Sequence, residues 1–140
     1  IDGNTICEAD HLFATRLWQN NSKVHFDINA REDKKRLIYG GHIISLVRAL
    51  SFNGLENAQL IVGINGGTHA NPVFAEDTIY CWSEVLDKID LNARNIAALR
   101  LRSVGTKEKN HKMKVKSDDG KYLPTIVLDF DYWVLVPKEL

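Results

Sequence analysis

At 140 residues, with 44% hydrophobic and 26% charged side chains, the chain has the size and composition of one compact domain with a true core, which excludes intrinsic disorder. Its 18 basic and 18 acidic residues cancel to a formal net charge of zero. The electrostatic excess of a nucleic-acid binder is therefore missing. No apolar run approaches the length of a membrane-spanning helix, so no membrane partner is expected. Cys7 and Cys81 are too few and too far apart for a disulfide framework, and both read as small buried hydrophobes in a reducing cytoplasm. The chain opens on Ile1 rather than Met, which reads either as a missing start or as one part of a longer polypeptide.

In chain order, Asn4 to Cys7 alternates and predicts a short strand. Glu8 to Trp18 carries apolar residues at 9, 12, 13 and 17, a helical spacing that Asn20, Asn21 and Ser22 bring to an end. Lys23 to Asp27 reads as a turn or short extended piece, and the charged run Ala30 to Arg36 as a solvated segment. Leu37-Ile-Tyr-Gly-Gly-His42 then leads into Ile43 to Phe52, apolar around nearly its whole circumference. Such a helix belongs in the middle of a fold. Gly40 and Gly41 allow a tight turn before it, and Asn53-Gly54 stops it.

Everything downstream reads as sheet. Strands are predicted over Ala58 to Ile64, Thr78 to Leu86, Asn95 to Val104 and Thr125 to Val136, with a bulge or close approach at Gly66 and Gly67. The polar stretch Thr106 to Lys121 is a long hairpin connection. Two helices followed by four strands define an α+β class, most economically an antiparallel sheet curled around the apolar helix. Arg48, inside that helix, must be paired or reach the surface. Trp18, Trp82 and Trp133 read as core or interface.

A long apolar helix behind a Gly-Gly turn and wrapped by an antiparallel sheet resembles the hotdog fold. Ile38-Tyr-Gly-Gly-His42 is similar to the strand-to-helix turn of MaoC-like dehydratases, and Asn71 to Thr78 resembles their P-V-x-x-G-D-T turn, with Glu76 where glycine is usual. Arg16 to Asn20, Lys23 to Phe26 and the run Leu37 to Leu55 resemble one branch of that family. The resemblance covers about Glu8 to Val136. It implies that residues 1–140 form a single hotdog domain, the C-terminal unit of a double-hotdog protein. The implied activity is reversible hydration of a short branched enoyl-CoA, with mesaconyl-CoA and water giving β-methylmalyl-CoA as the leading reaction. The acyl-CoA is the substrate, and neither a separate cofactor nor a metal is implied. The implied assembly is a homodimer or a pairing with a second hotdog unit.

That chemistry needs donors for the thioester oxygen and a proton carrier. Gly41 and His42 present N–H groups at a helix N-terminus, where the dipole favours negative charge, and Gly41 has no side chain to keep a thioester away. His25 is the candidate for proton transfer. It matches the histidine of the family's D-x-N-P-x-H pattern, whereas Asn20 stands at the aspartate, Ser22 at the asparagine and Lys23 at the proline. Three readings stay open: Asn20 orients water while His25 alone carries the proton; Asp27 or Glu32 supplies a carboxylate; or the unit supports catalysis elsewhere. Ser22, Lys23, Tyr39, Gly40, His42, Gly66 and Gly67 are expected to bind substrate. Tyr39 could equally be a buried aromatic and His42 a helix-start polar residue, while Asn65 to His69 either flank a pantetheine arm or form a bulged strand end. Lys107, Lys109, Lys112, Lys114 and Lys116 either meet CoA phosphates or, the favoured reading, form a solvated hairpin tip. The alternatives in function are an acyl-CoA-binding supporting half or an acyl-CoA thioesterase, which needs a carboxylate aimed at the thioester carbon. Metal spacing, a phosphate loop, a dinucleotide fingerprint and G-x-S-x-G are all missing from the sequence.

Overall fold

The computed structural model describes residues 2–58, 60–93, 95–109 and 114–138. Helix α1 spans Glu8–Leu17, with Glu8 and Asp10 in its first turn and Arg16 in its last, each charge complementing the helix dipole. Its buried side chains are His11, Ala14 and Thr15. Two single turns of 3-10 helix, Lys23–His25 and Ile28–Ala30, follow. Helix α2 is Gly40–Leu50, and Gly54, with φ of 100°, ends the short turn after it.

Strands β1 (Asn4–Thr5), β2 (Leu60–His69), β3 (Thr78–Ala93), β4 (Ile96–Thr106) and β5 (Ile126–Pro137) form one antiparallel sheet in the order β1-β3-β4-β5-β2. Alternate residues of β5, including Leu128, Phe130, Tyr132 and Val134, are buried against Ile43 and Val47 of α2 and Leu101 of β4. On β4, Gly105 lets the helix come close: a methyl group there would lie 2.7 Å from Cγ2 of Val47. A smaller cluster of Val104, Val115 and Ile126 is covered by Trp82, Tyr122 and Leu123. Paired Arg–carboxylate forks join β4 to β5, Arg100 to Asp131 and Arg102 to Asp129. This is the hotdog arrangement, an α+β fold as expected.

Several expectations are corrected. Helix α2 is not buried all round: Ile43 and Val47 are buried, Ile44, Leu46 and Leu50 are half-buried, and Phe52 beyond its end is 62% exposed. A circumference apolar in sequence therefore has one face on this sheet and another left open. Strands β2 and β3 run past their predicted ends at Ile64 and Leu86 to His69 and Ala93. Their distal residues are exposed, and backbone pairing there needs no apolar pattern. Cys7 is exposed at the start of α1 rather than buried. Cys81 is partly buried, and desolvation lifts its thiol to about 11. Trp18 is 55% exposed and so is no part of this chain's core.

Other expectations hold. The register shift at Ile64/Gly66 is the expected bulge, and a second shift, at Ile61/Gly63, was not expected. Arg48 is paired, its guanidinium donating to the Ala58 carbonyl and to Ser51 Oγ at 3.2 Å while lying 5.5 Å over the Tyr132 ring. Glu76, where the resembling turn has glycine, sits at φ of 72°, a left-handed conformation that explains the glycine preference. In the lysine series Lys107 pairs with Asp77, Lys114 with Asp118, and Lys116 lies over Tyr122; Lys112 lies outside the described residues.

Candidate active site

A cleft of about 560 Å³ opens at the N-terminus of α2. Leu37 and Ile38 reach it as extended chain, tied by Leu37 N–H to the Val24 carbonyl and Ile38 N–H to the Val73 carbonyl, both at 2.9 Å. The opposite wall, Asn71 to Val73, is held by two bonds from the Asn71 amide to the carbonyls of Leu123 and Ile126. The polar lining is His25, His69, Asn71 and the Tyr39-Gly40-Gly41 turn; Ile43, Val73 and Val127 add apolar surface.

His25 ends a 3-10 turn, and its Nδ1 lies 2.8 Å from the Leu37 carbonyl oxygen. A carbonyl only accepts, so Nδ1 carries the proton and the Nε2 lone pair is left for other chemistry, an assignment made from the hydrogen-bond network. At the start of α2, the N–H groups of His42 and Ile43 donate to the Tyr39 carbonyl at 3.0 and 3.3 Å. The N–H groups of Gly40 and Gly41 have no acceptor among the described residues. The free donors are thus Gly40 and Gly41, one residue earlier than the expected Gly41 and His42.

The glycines also have a packing reason. A methyl on Gly40 would sit 2.5 Å from Nε2 of His69, and one on Gly41 would sit 2.7 Å from the Tyr39 ring. The missing side chains make room for rings of this chain, with the donors held between them.

Of the expected site residues, His25, Tyr39, Gly40 and Gly41 are brought together in this cleft. His42 is half-buried at the same helix start but does not line it, and burial lowers its pKa. Asn20 lines a different cleft, about 470 Å³, with Arg16, Gln19 and Arg36, and its Oδ1 accepts the Ser22 N–H at 2.9 Å. Ser22 and Lys23 are exposed and outside the His25 cleft, as are Gly66 and Gly67 on β2. Asp27 caps the next turn through Asn29 N–H, and Glu32 is exposed. Among the described residues lining the cleft, none is a carboxylate.

Two histidines carry more of the site than their sequence context announces. His69, at the end of β2, forms part of the wall. His11 of α1 is fully buried, and its Nε2 accepts the Tyr39 N–H at 2.9 Å. In sequence His11 occupies an ordinary helix position; its separation of three and four residues from Glu8 and Thr15 carries no signal of an acceptor role.

The fold and this helix-start cleft are those of a hotdog unit, and the chain is similar to proteins of the MaoC type. The chain is 58% identical over 138 residues to a mesaconyl-CoA hydratase of Cereibacter sphaeroides, covering 99% of this chain and 40% of that protein. It is 52% identical over 143 aligned positions to a β-methylmalyl-CoA dehydratase of Chloroflexus aurantiacus, covering 99% of this chain and 41% of that protein. A crystal structure from Chloroflexus aurantiacus titled as a MaoC domain protein dehydratase superposes with a TM-score of 0.93 at 50% identity, over 100% of this chain and 41% of that one. The chain thus spans about two-fifths of the length of the curated relatives it matches. No family model matches the chain.

Proposed function

We propose that the protein containing this chain catalyses reversible hydration of a short branched enoyl-CoA, mesaconyl-CoA and water giving β-methylmalyl-CoA. The observation that carries the reading is the meeting, in one cleft, of an imidazole whose Nε2 has no partner among the described residues and two helix-start N–H groups that have none there either. The names of the relatives point to the acyl chain. The thioester oxygen accepts from Gly40 and Gly41 and gains negative charge as water adds at the β carbon. His25 Nε2 takes the proton of the attacking water, and the imidazolium returns a proton to the α carbon. Atoms balance with no cofactor. No described residue lining the cleft is a carboxylate, which argues against the thioesterase alternative.

The chain is taken here as one hotdog unit, the C-terminal one, paired with a second unit or a second copy. Strand β2 supports pairing: it is an edge strand, and Leu60, Val62 and Ile64 on it are 58%, 52% and 65% exposed. Unpaired apolar edges are otherwise an aggregation hazard.

The test is chromatographic assay of mesaconyl-CoA hydration by the full-length protein, wild type and His25→Ala. The variant is expected to lose about 10²–10⁴-fold in kcat, the range of a positioned acid–base group. An active His25→Ala protein sinks the catalytic assignment, and an inert wild type sinks the reaction itself.

A further inference from the structure

His11 is a costly residue for its position. It is 0% exposed, and its Nδ1 has no hydrogen-bond partner among the described residues. A leucine or phenylalanine would fill that space without leaving a buried polar atom unsatisfied. Packing alone therefore does not account for it. Its other nitrogen has a defined task, since Nε2 accepts the N–H of Tyr39 at 2.9 Å. Tyr39 is the N-cap of α2, no side chain caps that helix end, and its carbonyl closes the first turn by accepting from His42 and Ile43. His11 thus holds the residue that leads directly into the Gly40 and Gly41 N–H groups.

We propose that His11 is a positioning residue for the thioester-oxygen donors: as an acceptor on the Tyr39 amide, it locks the rotation of the first turn of α2. The proposal rests on the hydratase reading of the cleft. An amide N–H donor requires a lone pair at Nε2, so the ring must be neutral with its proton on Nδ1. The surroundings favour that state. The titratable groups facing His11 are Glu8 on its own helix, Arg36, His25 and His42. His25 and His42 lie at ring separations of 6.4 and 6.1 Å. Burial, then the two imidazoles, holds its pKa down to about 4.

The experiment compares full-length wild type, His11→Phe and His11→Gln. Phenylalanine keeps ring volume without an acceptor, and glutamine places Oε1 near the position of Nε2. Two readouts are taken: kcat and KM for mesaconyl-CoA hydration, and the infrared carbonyl stretch of bound butyryl-CoA labelled with carbon-13 at the thioester. In wild type the stretch moves to lower frequency on binding, as donors polarise the carbonyl. His11→Phe is expected to lose most of that shift and about tenfold to a hundredfold in kcat, with KM within about threefold; His11→Gln restores both. Should His11→Phe fail to fold, His11→Met makes the same comparison. A carbonyl shift and kcat unchanged in His11→Phe overturn the role of His11 while leaving the donor turn standing. A glutamine variant as poor as the phenylalanine one shows that ring shape, not the acceptor, matters, and overturns it too. Wild type that neither turns over mesaconyl-CoA nor shifts the carbonyl removes the hydratase reading, and the role of His11 with it.

Discussion

Two imidazoles near the mouth of α2 have been given opposite duties by their surroundings. His25 is half-buried, lines the cleft, donates through Nδ1 to a carbonyl and has no partner for Nε2 among the described residues. His11 is wholly buried and spends Nε2 on the backbone of Tyr39. This has a consequence for stability. The pKa of His11 is depressed from 6.5 to about 4 in the fold, so between those values the unfolded chain binds the extra proton. The contribution is fully present above pH 6.5 and is lost as pH falls toward 4, at about 1.4 kcal/mol per pH unit within that window. Urea unfolding at a series of pH values from 7.5 to 4 measures it, and His11→Phe is expected to flatten that part of the curve. An equally steep curve in the variant assigns the dependence to other groups. His25 was legible in the sequence because it stands in a family pattern. His11 was not, because an acceptor role across 28 residues of chain leaves no local mark.

Helix α2 was legible as an element from its glycine pair, its apolar run and its Asn53-Gly54 stop. Its depth was not. A period of 3.6 residues reports which side chains are apolar, whereas the partner for each face is decided by strands that begin only at Thr78, far along the chain. Gly105 illustrates the point: in sequence it is a glycine near a strand end, and in the fold it is where Val47 meets the sheet. Gly105→Ala is expected to destabilise the protein by about 1–3 kcal/mol, the usual range for overpacking, because the side chains of Val47, Val127 and Leu128 leave the methyl little room. The shift in urea midpoint at constant slope measures this. No change would mean that α2 moves aside without cost. Strand cores were read correctly and strand ends were not, since β3 beyond Leu86 is exposed on both faces.

The molecule as a whole keeps two open features. Strand β2 leaves one row of backbone groups unpaired in this chain, and Phe52 beyond α2 is also uncovered. In the full-length protein, hydrogen exchange is expected to find consecutive amides of Leu60–His69 protected, where a free edge would protect only alternate ones. Ile64→Lys, placing a charge on a side chain now 65% exposed, is expected to speed exchange of the outward set by about tenfold or more. Alternating protection in wild type would rule out pairing through β2. Composition and periodicity were enough for the class of fold and the order of its elements, and the motifs that carry the family resemblance singled out His25. These are local properties, written in neighbouring residues. The separation of Asn20 from the His25 cleft, the use of His42 N–H inside the helix turn, the choice of Gly40 and Gly41 as free donors and the hold of His11 on Tyr39 came only with the tertiary structure. Each depends on where a side chain or amide points after distant segments pack, and a hydrogen bond is decided by that direction and distance rather than by residue type.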